Sequence, residues 1–191
     1  MSDALIALCE NRIAGLSRAR QAFEQTVAPE QVGWLVGGLR TAAAGWDAVV
    51  ERGPDGDPVA LRVGARSLRD AVPGFAAVAD VLDAYAAALE SAQARHATGL
   101  AHLRAAQGAA STLPLGAAAR PPGPGAAGAA TGDTGAETTA EAALAVLDAA
   151  CAGYAACSDA YVAVRDAERA LYAALAHVRV RPPVRSTGTR A

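Results

Sequence analysis

Apolar residues recur along this chain at helical spacing, and the longest run steps three, four, three, four with one interruption. It passes through Leu147, Ala150, Tyr154, Cys157, Tyr161, Val164, Glu168, Leu171, Leu175 and Val178. A 3.5-residue repeat of this kind is the heptad signature of a helix that lies along another helix. Thr138 followed by Glu141 forms a capping box, in which the cap hydroxyl and the third-position carboxylate satisfy orphan backbone donors. A long C-terminal helix over 138–178 is therefore predicted, packed on the region before it.

A second seam of similar length runs through Phe75, Val78, Leu82, Tyr85, Leu89, Ala92, His96, Gly99 or Leu100, Leu103 and Ala106. It predicts a helix over about 75–107. Shorter helices are predicted over 3–26, 30–51 and 58–72. The first carries Leu5, Cys9, Ile13, Leu16, Phe23 and Val27 on one face; the next carries Val32, Val36, Leu39, Ala43, Trp46 and Val50. Pro29 and Pro58 suit first-turn positions, and Asp57 caps the helix that Pro58 opens. Pro73-Gly74 breaks the pattern before the long helix. No strand is expected.

Residues 109–137 change character: proline and glycine amid alanine and threonine can neither hold a helix nor bury a core. They read as a flexible linker between a helical region at 1–108 and the C-terminal helix, with 179–191 as a basic disordered tail. The fold class that follows is all-α: an elongated hairpin or bundle of about five helices with a disordered Pro/Gly/Ala insertion.

Composition changes this picture little. Alanine supplies roughly 28% of the chain, far above ordinary usage, and all 17 basic residues are arginine. A GC-rich genome accounts for both. A net charge of −2 gives no electrostatic pull toward nucleic acid. The charge is uneven only at the end, where Arg179, Arg181, Arg185 and Arg190 follow Glu168 with no further acid. Those arginines suit either an acidic partner or membrane surface, or a solvated tail whose first arginines complement the C-terminal helix dipole, the last being simpler. No apolar stretch behind a basic start carries a cleavage site, and no uncharged run reaches membrane-spanning length. The expected location is cytoplasmic, or exported without a Sec signal, with no membrane span.

Candidate chemistry is thin. Cys9, Cys151 and Cys157 form no CxxC, and Cys151 and Cys157 face opposite sides of one helix, so all three read as structural. His96, His102 and His177 lack the spacing of a ligand pair. Asp55-Gly-Asp57 lacks the remaining ligands of a calcium loop. Gly123-Pro-Gly-Ala-Ala-Gly128 matches GxGxxG literally, but no strand precedes it and no helix opens on it. No enzyme, cofactor, metal or small-molecule substrate is expected.

The residues that invite a functional reading are those that interrupt or leave the seams. His96 and Glu168 are the polar intruders. Each either bonds a tyrosine on the opposing seam and so sets register, or sits where its seam is open to water; the second is the simpler expectation. Tyr85, Tyr154 and Tyr161 are amphipathic anchors on the seams. Trp34 lies off its helix's stripe, so it covers a neighbouring helix or awaits a partner, the first being simpler. With the basic tail at Arg179, Arg181 and Arg185, these are the interaction candidates. Alanine seams bury little area, which argues for a helical protein partner or a homodimer.

Val81 to Arg95, continuing through Leu100 and Leu103, resembles the second helix of Trp-x-Gly-type helical hairpins, substrates or targeting domains of type VII (ESX-like) secretion in actinobacteria. Gly56 to Leu61 is similar to the way those domains open their first helix. The resemblance covers about residues 56–107. The family's turn motif is altered, since Trp34 is followed by Leu35-Val36-Gly37 and Trp46 by Asp47-Ala48; the Tyr-x-x-x-acid tail pattern is also unmet. The resemblance implies a non-enzymatic protein–protein interaction role associated with that secretion route. The alternative is a cytoplasmic scaffold or accessory subunit using the same seams.

Overall fold

The computed structural model describes residues 2–25, 29–46, 50–71, 75–114 and 133–177. Among these residues the chain forms five helices and no strand: α1 (Ser2–Glu24), α2 (Pro29–Ala43), α3 (Pro58–Ala71), α4 (Ala76–Thr112) and α5 (Asp133–His177). The all-α class expected from the periodicity is the class observed. The tail at 179–191 and the linker segment 115–132 lie outside the described residues.

Three helix boundaries differ from the sequence reading. The second helix ends at Ala43 instead of near 51. There the chain closes a tight turn, with Gly45 N–H donating to Ala42 O at 3.1 Å and Trp46 N–H to Ala43 O at 3.2 Å. Trp46 and Val50 stay on the buried side after the break, at 2% and 0% exposure, so one apolar stripe spans a helix and a turn.

α4 runs on to Thr112, into residues read as linker. Ala110 and Leu113 are buried in the core. Arg40 of α2 donates to Ala110 O at 3.1 Å and to Leu113 O, satisfying carbonyls that a helix end leaves orphaned. α5 in turn begins at Asp133, a turn before the capping box. Thr139 is buried and Ala140 half-buried, and the Thr138 and Thr139 hydroxyls donate back to Gly135 O at 3.1 and 2.8 Å. The threonines thus bond within the helix instead of opening it.

The chain divides into two compact units, and the division falls within both long helices. The first comprises Met1–Asp55 and Ser91–Ala163. Its core draws Ile6, Cys9, Leu16 and Phe23 from α1 and Val32, Val36 and Leu39 from α2. Leu103 and Ala106 come from α4, and Leu147, Ala150, Tyr154, Cys157 and Tyr161 from α5. The predicted seams are buried here. Arg20 of α1 pairs with Asp148 of α5 at 2.7 Å on the surface.

The second unit comprises Gly56–Glu90 and Val164–Ala191. α3 packs through Ala65, and α4 through Ala79, Ala86 and Leu89, all four fully buried. α3 and α4 are antiparallel neighbours: Arg62 pairs with Glu90 at 2.5 Å, and Arg69 with Asp80 and Asp83 at 2.6 and 3.0 Å. Asp57 caps α3 as its sequence position predicts, accepting from Val59 N–H at 2.9 Å and Ala60 N–H at 3.2 Å.

Candidate functional site

The first unit holds a polar cluster where α4, α5 and the segment after α2 meet. A helical three-four spacing places His96 on the buried face of α4 and Tyr161 and Cys157 on the buried face of α5. His96 is 5% exposed, so its seam is closed to water and the simpler expectation for it is corrected. Its Nε2–H donates to the Val50 carbonyl at 2.8 Å. The Tyr161 hydroxyl lies 3.4 Å from the same nitrogen, with the rings edge to face at a centroid distance of 5.6 Å. The Cys157 thiol points at the His96 carbonyl at 4.0 Å.

The 50–55 segment crosses this cluster at close range. A β-carbon at Gly53 would lie 3.1 Å from His96 Nδ1, closer than ordinary contact, so a glycine lets the chain pass. Gln93, three residues before His96, donates its amide to the Pro54 carbonyl at 3.3 Å. One face of α4 therefore holds the segment by two carbonyls. This answers the accounting question that a non-helical segment against a core always raises.

Burial sets the protonation of the cluster. It lowers the His96 pKa from its ordinary 6.5, partly offset by the Val50 bond. It pushes Tyr161 and Cys157 up to about 12 and Cys9 up to about 11. Neighbouring groups add to that burial effect, Cys9 for Tyr161 and Cys157, and Glu10 for Cys9. At neutral pH the imidazole and both thiols are neutral, so neither sulfur is the thiolate that nucleophilic chemistry uses. The arrangement ties a segment to two helices.

The second intruder also meets a tyrosine. Glu168 of α5 is half-buried beside Tyr85 of α4, within the second unit. Burial raises the Tyr85 pKa first; the Glu168 charge, nearby Tyr172 and a side-chain hydrogen bond to Glu168 raise it further. Glu168 is thus neither fully wet nor fully enclosed. Each seam's intruder is answered by a tyrosine of the other long helix.

The remaining candidates separate. Tyr154 is fully buried, edge to face with Trp46 at 6.2 Å, and serves the core. Trp34 is 78% exposed on α2, which corrects the expectation that it covers a neighbouring helix. Arg179, Arg181 and Arg185 lie outside the described residues. Among the described residues no group of three or more His, Cys, Asp or Glu side chains is placed to share a metal ion. Sequence reasoning missed Gly53, Gln93 and the Val50 carbonyl; only the Pro/Gly content of the segment marked it as non-helical.

Two surface features complete the inventory. A groove of about 550 Å³ lies between α3 and α4, lined chiefly by Leu61, Gly64, Leu68, Leu82, Tyr85 and Leu89. α5 is long and apolar enough over Gly135–His177, by length and composition, to cross a membrane. Of its most apolar window, 39% is buried within the fold. The chain matches no family model, no curated protein and no solved structure.

Proposed function

We propose that this is a non-enzymatic helical interaction protein that presents Trp34 to a helical protein partner or to a second copy of itself. One observation carries the reading: Trp34 stands 78% exposed on a helix whose Val32, Val36 and Leu39 are buried and whose Leu35 is half-buried against the core. Tryptophan is the largest apolar side chain and is enriched among residues that dominate interface energies. Its indole gains most from being covered by a partner. The antiparallel α3–α4 neighbours and the resemblance to type VII secretion-associated helical hairpins support a role linked to that system.

Light scattering of the purified chain, alone and with proteins encoded beside it, tests this. The reading predicts a mass above the 19.1 kDa of one chain, in a homodimer or a defined complex, that Trp34→Ala returns to a monomer. A folded monomer in every mixture, or a complex indifferent to Trp34→Ala, overturns it. Fractionation adds the location: recovery from the culture medium supports the secretion link, and recovery from the cytosol alone contradicts it.

A further inference from the structure

We infer that the groove between α3 and α4 is the docking site of the chain's own basic segment, residues 178–185. The groove lies in the second unit, as does the C-terminal end of α5, from which that segment continues in sequence. Four of its lining residues, Leu61, Leu68, Leu82 and Tyr85, are only half-buried, and beside it on α3 Val59 and Val63 stand 67% and 59% exposed. At about 550 Å³ it falls within the range of pockets that enclose several side chains. Ala60 and Gly64 on its α3 wall let a backbone approach closely.

The occupant is chosen by pattern, charge and reach. Residues 178–185 read Val-Arg-Val-Arg-Pro-Pro-Val-Arg. In an extended backbone this places Val178, Val180, Pro182 and Val184 on one side and Arg179, Arg181 and Arg185 on the other. Two consecutive prolines cannot continue a helix, and the residue before a proline favours the extended backbone. The described part of the unit carries seven carboxylates (Asp57, Asp70, Asp80, Asp83, Glu90, Asp166, Glu168) against five arginines (Arg62, Arg66, Arg69, Arg165, Arg169). That is an acidic surplus of two, and the segment's only charged residues are basic.

Reach is sufficient. Glu168 meets Tyr85 on the groove wall, and α5 ends at His177, nine residues later, about 14 Å along a helix axis. Eight extended residues span up to about 26 Å, enough to turn back and bring the Val180–Val184 face along the leucines. Tethering also gives the segment a local concentration on the order of millimolar, an advantage over a free partner.

Disulfide trapping in the full chain tests this, in a Cys151→Ala background that removes the one half-buried thiol. Gly64→Cys with Val184→Cys is compared with Arg66→Cys with Val184→Cys. A β-carbon at Gly64 meets nothing within 4 Å, so the substitution fits, while Arg66 lies two residues on, toward the opposite face of α3. Circular dichroism confirms that both variants keep the helical fold. The expected result is an intramolecular disulfide forming at least about tenfold faster with Gly64→Cys, the advantage shrinking at high salt and with Leu82→Asp. Equal rates, or no cross-link in either pair, overturn the assignment. Covalent dimers in place of the intramolecular product also overturn it, since the occupant is then a second copy.

Discussion

Gly99 and Gly153 meet backbone to backbone where α4 and α5 cross in the first unit. A β-carbon at Gly99 would lie 2.8 Å from the Gly153 carbonyl oxygen and 2.6 Å from the Cys157 sulfur. One at Gly153 would lie 2.9 Å from the Gly99 carbonyl oxygen and 2.7 Å from Leu103. Neither position tolerates even one methyl group without moving a backbone.

Gly99→Ala is therefore expected to destabilise the protein by about 1–3 kcal/mol, although alanine is the better helix former by about 1 kcal/mol. Gly15→Ala, where a β-carbon meets nothing within 4 Å, is expected to stabilise by about 0.5–1 kcal/mol. Urea titration of both variants checks the pair of opposite signs.

His96 holds the Val50 carbonyl, and its substitution exposes that dependence. His96→Leu is expected to cost about 1–3 kcal/mol, because the carbonyl loses its donor. Hydrogen exchange in residues 50–55 is expected to speed up more than exchange in α1.

The same histidine gives stability a pH dependence of known sign. Its folded pKa is lowered below 6.5, so the unfolded chain binds the proton more readily and stability rises with pH. The contribution is complete above 6.5 and is lost as pH falls through the lowered folded value. Thermal melts from pH 7.5 to 5 are expected to show a falling midpoint, with the fall reduced in His96→Leu.

Cys9 and Cys157 are buried with raised pKa values, and Cys151 is half-buried. A thiol reagent at pH 8 is expected to modify Cys151 first and the other two only on the timescale of unfolding. Quantifying modified peptides over time checks the order.

Glu168 raises the Tyr85 pKa, after burial, through its charge. Glu168→Gln removes that charge and is expected to lower the Tyr85 ionisation midpoint. An ultraviolet pH titration of the variant against the native chain reads the shift directly.

The heptad steps made the two long helices legible, because buried faces of paired helices must repeat near 3.5 residues. The same steps put Tyr154 and Tyr161 on the seams, but the expectation that His96 sits where its seam is open to water failed, because the 50–55 segment covers it. What the pattern did not carry was the partner of each polar residue: a carbonyl such as Val50 O belongs to any residue type, and no sequence signal announces it. The helix end at Thr112 was set by burial of Ala110 and Leu113 and by Arg40 reaching the Ala110 carbonyl, which override local proline and glycine content. Trp34 defeated the core rule because exposure of one tryptophan depends on whether a neighbour covers it.

The central claim is that α4 and α5 pair antiparallel at the Gly99–Gly153 contact. Moving from Gly99 to His96, back along α4, takes the partner forward along α5 to Tyr161. Ala109 and Ala145 are exposed, ten residues after Gly99 and eight before Gly153. The direct measurement is an electron-spin distance between labels at those two positions. Antiparallel pairing predicts nearly equal axial height and a short distance, set by helix spacing and label arms. Parallel helices crossing at the same glycines would separate the labels by a further axial offset of about 27 Å, and that longer distance would contradict the pairing.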